Sequence, residues 1–79
     1  MQLILHSPAP DYPSWKTAFD TTAEARRDAG LSLLQLWRDA DQPAVFALFE
    51  VSDRKRAQAW LAKEAALGAT ATAHFVETT

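Results

Sequence analysis

The sequence predicts an α+β fold whose elements follow the order β-α-β-β-α-β. Three observations predict it: two segments with the spacing of amphipathic helices, two apolar strands joined by a short polar turn, and short apolar segments at either end of the chain. The chain has 79 residues, which suits a single domain over residues 1–79.

The first half contains a strand followed by a long helix. Residues 3–5 form a short apolar run that ends in a proline-rich connection at residues 7–10, which is typical of a strand and its exit. Residues 11–29 have the helical period, with one face formed by Tyr12, Trp15, Ala18, Phe19, Thr22, Ala25 and Ala29. Asp11 is the predicted N-cap, and Pro13 is acceptable in the first turn. Gly30 is placed to end the helix with a positive φ.

The middle of the chain predicts a β-hairpin. Leu31–Arg38 and Ala44–Val51 are apolar strands, and residues 39–43 between them have the composition of a turn. Ser52 and Asp53 can cap a second helix that runs to Leu67, with Gly68 beyond its end. Residues 71–76 form the last strand.

This element order predicts a ferredoxin-like topology. Two right-handed crossovers place both helices on one face of a four-stranded antiparallel-type sheet with strand order 4-1-3-2. The other face has no cover from within the chain. We call it the open face.

The hairpin strands indicate that the open face is apolar. A strand with one wet face alternates apolar and polar residues, and these two strands do not. In the first, one alternating set holds Leu31, Leu33, Gln35 and Trp37, and the other holds Ser32, Leu34, Leu36 and Arg38. Both alternating sets of the second strand also carry large apolar side chains. Because such a patch is unusual on a stable monomer, we expect a homodimer.

Composition excludes several classes of function. The chain has no cysteine and two histidines, so disulfides are excluded and we expect no metal site. Its formal net charge is -2 with no basic stripe, so we expect no nucleic-acid partner. It lacks an apolar run of membrane-spanning length and a basic signal-peptide start, so we expect no membrane association and a cytoplasmic location.

Two stretches resemble a known superfamily. Residues 11–20 (DYPSWKTAFD) are similar to the opening helix of small bacterial dimeric α+β barrel proteins, and residues 38–43 followed by 46–51 are similar to their hairpin. This superfamily includes the antibiotic-biosynthesis monooxygenases. The resemblance implies a homodimer whose two sheets enclose a cavity. Members include cofactor-independent oxygenases acting on polycyclic phenols, haem-degrading enzymes, and small cyclases or isomerases. We expect no cofactor in this chain.

Two residues are candidates for catalysis. His6 ends the first strand, where an imidazole can act as a general base, although a strand-end histidine bonded to backbone or water is the plainer interpretation. Glu50 follows an apolar run, and a carboxylate inside a cavity can abstract a proton. The simpler role for Glu50 is contact with solvent or with Arg38 across the hairpin.

Four more residues are candidates for ligand binding. Trp37 and Gln35 lie on one face of their strand, where an indole and an amide can stack on and orient a planar ligand, or where the indole packs in an interface. Tyr12 can direct its hydroxyl into the mouth of the barrel. His74 in the last strand can line the cavity, join His6 as an acid–base pair, or face water on an edge strand.

The sequence favours a small homodimeric protein that binds or transforms an apolar or aromatic molecule, as a cofactor-independent monooxygenase-like or an isomerase- or cyclase-like enzyme. A non-catalytic binding or assembly module of the same fold is the alternative. An RNA-binding domain shares this element order, but it needs exposed aromatic residues on both central strands and basic surroundings. The first strand of this chain has no aromatic residue and the net charge of the chain is negative, so we do not favour this class.

Overall fold

The computed structural model describes residues 1–63 and 71–79. Its elements are β1 (Gln2–Pro8), α1 (Tyr12–Thr21), α2 (Ala23–Asp28), β2 (Leu31–Arg38), β3 (Ala44–Val51), α3 (Arg54–Lys63) and β4 (Thr72–Val76). Both hairpin strands have the bounds that the sequence predicts. No helix in this described part of the chain is long and apolar enough to cross a membrane.

The four strands form one antiparallel sheet in the order β2-β3-β1-β4, which confirms the predicted α+β class and strand order. The central strand β1 pairs with β3 and β4, so that Leu3 lies opposite both Phe49 and Phe75. The architecture is that of a ferredoxin-like fold.

The core lies between the sheet and the helices. Alternate side chains of β1 and β3 point to this side, with Leu3, Leu5 and Phe49 almost fully buried. Phe19 from α1 and Ala57 from α3 pack onto them, and Trp15 and Trp60 lie partly buried at the margin. Phe19 therefore belongs to the core, and Trp15 and Trp60 pack against it.

The first helix is interrupted, contrary to the single helix predicted over residues 11–29. α1 ends at Thr21 and α2 begins at Ala23, with Thr22 at φ −99° and ψ 7° between them. The hydroxyl of Thr21 donates to the carbonyl of Ala18 (2.7 Å), and that of Thr22 donates to the carbonyl of Phe19 (2.8 Å). Because threonine hydroxyls compete with the backbone ladder in this way, two adjacent threonines favour a break. Residues 1–63 and 71–79 therefore contain three helices.

The predicted helix ends are confirmed in part. Gly30 has φ +81°, as its position after the helix predicts. Asp53 caps α3, because its Oδ1 accepts the backbone N–H of Arg56 (3.1 Å). Asp11 occupies the N-cap of α1 but accepts the Ser14 hydroxyl (2.7 Å) instead of a backbone N–H. The predicted end of the second helix at Leu67 and Gly68 lies outside the described residues.

A β-bulge in β2 corrects the simple alternation assumed for that strand. Leu33 lies opposite Phe49 and Gln35 lies opposite Leu48, so Leu34 is an extra residue without a partner in β3. The bulge reverses the alternation beyond it. Leu31, Leu33 and Leu36 therefore point toward the helices, whereas Ser32, Gln35 and Trp37 point to the open face.

Candidate functional site on the open sheet face

The open face carries both apolar and polar side chains. Residues opposite each other in an antiparallel ladder project to the same side, so the register defines the set. It consists of Gln2, Ile4, His6, Pro8, Ser32, Gln35, Trp37, Ala44, Phe46, Leu48, Glu50, Thr72, His74 and Val76. Trp37 is 47% exposed, and Ile4 is also an exposed large apolar residue. Ile4 and Leu48 lie in the central row of the ladder, whereas Trp37 and Phe46 lie in the row of His6.

His6 lies at one end of the open face. Its ring centroid is 4.4 Å from that of Phe46, its partner across the ladder. Its Nε2 is buried and has no hydrogen-bond partner among the described residues. The nearest acceptor of opposite charge is Oδ2 of Asp39, at 3.8 Å. A buried nitrogen in this position is incompletely satisfied, which is unusual in a folded protein.

Asp39 is positioned by the turn that follows β2. Its Oδ1 accepts the backbone N–H of Asp41 (2.9 Å), and its own N–H donates to the carbonyl of Ala44 (2.9 Å). One carboxylate oxygen is thus fixed by the turn, while the other faces His6. The sequence interpretation treated residues 39–43 only as a turn. The strand order was the signal that could have identified Asp39, because it brings the end of β2 near the end of β1.

Glu50 lies at the opposite end of the face from His6. It pairs with Gln2 in the ladder, four residues away from His6 along β1. Its Oε2 accepts the side-chain N–H of Gln2 (2.8 Å), and its Oε1 lies 3.7 Å from the N-terminal amino group. The structure therefore does not bring the two candidate catalytic residues together. Nor does Glu50 meet Arg38, which lies at the far end of the hairpin opposite Val45.

Trp37 and Gln35 share the open face, as the sequence predicts. Trp37 lies opposite Phe46, and Gln35 lies opposite Leu48. The indole is therefore near the His6 end of the face, with the Phe46 ring between the two in the ladder. The Gln35 amide is exposed and donates weakly to the carbonyl of Leu36 (3.4 Å), so it is available to a ligand.

His74 and Tyr12 occupy different environments. His74 is exposed on the edge strand β4. It lies opposite Ile4, whereas His6 lies opposite Thr72. Tyr12 lies on the helix side of the sheet, where the Arg38 guanidinium sits 4.4 Å above its ring and Trp15 stacks at 6.2 Å. Tyr12 is thus separated from the open face. Within residues 1–63 and 71–79, no three His, Asp or Glu residues are arranged to hold a metal ion.

The His6 end of the face has the elements needed for proton transfer. Nε2 faces the Asp39 carboxylate at 3.8 Å, beyond hydrogen-bond distance, and an imidazole offers two ring nitrogens to a proton. Nδ1 has no hydrogen-bond partner among the described residues. The aromatic rings beside it offer stacking surface to a planar molecule.

The fold and this face define a ferredoxin-like α+β protein in which no helix of the described residues covers the second sheet face, and that face carries apolar and polar side chains together. The chain belongs to the family described as a domain of unknown function, DUF3303, whose model matches residues 3–74. No curated protein and no solved structure gave a significant match to the chain.

Proposed function

We propose that the protein is a homodimer in which the open faces of two copies pack together and enclose a pocket for a small apolar or aromatic molecule. The observation that carries this proposal is the open face itself, with exposed or half-exposed apolar side chains at its centre and the His6–Asp39 pair at its end. Exposed apolar patches of this kind are typical of interfaces. The arrangement is that of the dimeric α+β barrel proteins, which the chain resembles.

The ligand in this proposal is planar and largely apolar. Trp37 and Phe46 supply stacking surfaces, and the Gln35 amide supplies a hydrogen bond for orientation. A second copy of the sheet would cover the ligand and exclude water. The pocket would then be formed by both subunits.

The proposed chemistry begins with proton abstraction by His6. Asp39, whose Oδ2 lies 3.8 Å from His6 Nε2, is the carboxylate that orients the imidazole in this proposal. With an acidic phenol, the resulting anion can itself supply the electrons that reduce dioxygen in a monooxygenase-like reaction. In an isomerase- or cyclase-like reaction, the proton returns at a different atom. Glu50 has no part in this step, because it lies at the other end of the face.

A non-catalytic assembly module is the second candidate. The cavity beside α2 and β2 and the cavity along α1 both lie away from the centre of the open face in the described part of the chain. This observation favours a face that closes by packing without a pocket. In that case Trp37 and Phe46 would fill the interface.

Native mass spectrometry of the purified protein, followed by titration with 1-naphthol as a model phenol, tests the proposal. We expect a dimer, and fluorescence quenching of the dimer by 1-naphthol. Trp37→Lys is expected to yield monomers, because it places a charge in the interface. Leu33→Lys is the matched control, since Leu33 is 44% exposed but points to the helix side. A wild-type monomer would overturn the proposal.

Two histidine variants separate enzyme from assembly module. His6→Gln is expected to abolish oxygen consumption or isomerisation of a phenol that the wild type turns over, while the dimer persists. His74→Gln on the same face serves as the control and is expected to retain turnover. A dimer that binds no phenol and in which both variants behave like the wild type would favour the assembly module.

A further inference from the structure

A second unusual feature of the molecule is a buried arginine that has no acidic partner among the described residues. Arg26 of α2 is 6% exposed. Its Nη1 donates to the carbonyl of Phe19 (2.6 Å) and to the hydroxyl of Thr22 (2.6 Å), and its guanidinium carbon lies 3.6 Å from the Phe19 ring centroid. No carboxylate oxygen of the described residues lies within 4.0 Å of the guanidinium. Buried charges are normally paired, so the missing counter-ion needs an explanation.

The nearest acidic side chain is already engaged. Asp20 acts on Arg26 through its charge, but both of its carboxylate oxygens accept from Lys16 at 2.7 and 2.8 Å. Burial lowers the pKa of Arg26 and the Asp20 charge partly opposes that shift, yet a guanidinium remains protonated at neutral pH. Arg26 therefore carries a charge whose direct contacts in the described part of the chain are a carbonyl, a hydroxyl and an aromatic ring, with Asp20 acting only at longer range.

Arg26 also lines the better formed of the two cavities. This groove has a volume of about 470 Å³ and runs between α2 and the edge strand β2. Its walls are Ala23, Arg26, Arg27, Leu31, Ser32 and Leu33. Among the hydrogen bonds of the described residues, none uses Nε or Nη2 of Arg26. Those two nitrogens form the edge of the guanidinium that binds a planar carboxylate through two parallel hydrogen bonds.

We infer that this groove binds a small organic carboxylate, with Arg26 holding the carboxylate group and the exposed Leu33 side chain contacting an apolar body. Arg27 and the Ser32 hydroxyl are the further polar groups at the groove, and both are exposed. Half of the wall is alanine and leucine, which favours an acid with a hydrocarbon part over inorganic phosphate. The site lies away from the His6 end of the open face, and Ser32 is the residue of its wall that belongs to that face.

The test is a titration of the ¹⁵N-labelled protein with octanoate, below its micelle-forming concentration, observed at the arginine Nε–H resonances. We expect a saturable shift of the Arg26 signal and of the Ser32 and Leu33 amides. Octanamide has the same chain without the charge and is expected to leave Arg26 unmoved. Inorganic phosphate is expected to bind more weakly than octanoate. Equal shifts with octanamide, equal affinity for phosphate, or no shift with octanoate would each overturn the inference.

Two substitutions examine the role of the guanidinium. Arg26→Lys keeps the charge but loses the paired donors, and octanoate affinity is expected to fall about tenfold. Arg26 also supports the junction of α1 and α2, so its substitution can disturb folding as well as binding. A second variant therefore leaves Arg26 in place. Arg27→Gln changes an exposed groove residue and is expected to weaken binding at low salt, whereas Lys55→Gln, an equal charge change on exposed α3, is not. Equal effects of Arg27→Gln and Lys55→Gln would contradict the assignment.

Discussion

At the scale of single residues, backbone conformation restricts side-chain identity most strongly at Gly30. Its φ of +81° lies in the left-handed region, and the turn brings it against the residues that begin α3. The N–H of Ser52 donates to the carbonyl of Gly30 (2.9 Å). A Cβ at Gly30 would lie 2.6 Å from Ser52 Oγ and 3.3 Å from the Asp53 nitrogen. Only glycine satisfies both the angle and the space.

Gly30→Ala is therefore expected to lower the free energy of unfolding by about 1–3 kcal/mol, from backbone strain and the close contact together. Urea denaturation measures the loss. In a Ser52→Ala background the contact is relieved, so the same substitution is expected to cost less. An unchanged unfolding midpoint in Gly30→Ala would show that the turn does not require glycine.

At the scale of elements, the junction of α1 and α2 depends on side chains that replace the helical ladder. Thr22 donates its hydroxyl proton to the carbonyl of Phe19 and accepts a hydrogen bond from Arg26. Thr21 makes a similar bond to Ala18 but is exposed and has no contact with Arg26 in the described structure. Two neighbouring threonines thus have different structural importance.

Thr22→Ala is expected to destabilise the protein by about 1 kcal/mol, because it removes a hydrogen bond and leaves Arg26 with one acceptor fewer. Thr21→Ala is the matched control and is expected to stay within about 0.5 kcal/mol of the wild type. Thermal unfolding of both variants under the same conditions gives the comparison. Equal losses would indicate that the Thr22–Arg26 contact contributes nothing.

The β-bulge at Leu34 is the second feature at this scale. Because Leu34 has no partner in β3, deleting it would join Leu33 to Gln35 in a regular ladder without changing the direction of any other side chain. We expect the deletion to leave a folded protein of similar circular dichroism. Deleting Ala47 from the central part of the sheet would reverse the side chains beyond it, and that variant is expected to unfold. Unfolding of the Leu34 deletion would contradict this account of the register.

At the scale of the whole molecule, the uncovered sheet face connects stability with association. Side chains of all four strands project from it, and Ile4 and Trp37 are among the exposed large apolar residues of the chain. A short chain with one covered sheet face buries only part of the apolar surface it has available. Dimerisation through the open face would bury the remainder.

If folding and dimerisation are coupled, stability depends on protein concentration. A tenfold dilution is expected to lower the apparent free energy of unfolding by about 1.4 kcal/mol per mole of dimer. Denaturation curves at concentrations from micromolar to millimolar measure this shift, and Trp37→Lys is expected to show none. A wild-type midpoint independent of concentration would contradict the coupling.

The sequence determined both hairpin strands, the strand order of the sheet and the element order apart from the break at Thr22, because local periodicity and crossover handedness carry this information. It placed His6, Gln35, Trp37, Glu50 and His74 on strands, but it did not determine which side of the sheet each side chain faces. It misplaced Tyr12, because the direction of a helix-start side chain depends on how the helix packs.

The tertiary structure alone decided which residues meet. Asp39 approaches His6 only because the sheet places the ends of β2 and β1 at one edge, and Glu50 lies far from both for the same reason. The bulge at Leu34 determines which side chains of β2 face the helices. The break at Thr22 places the hydroxyl that accepts a hydrogen bond from Arg26. These contacts join residues distant in sequence or depend on a local irregularity, so side-chain periodicity does not encode them.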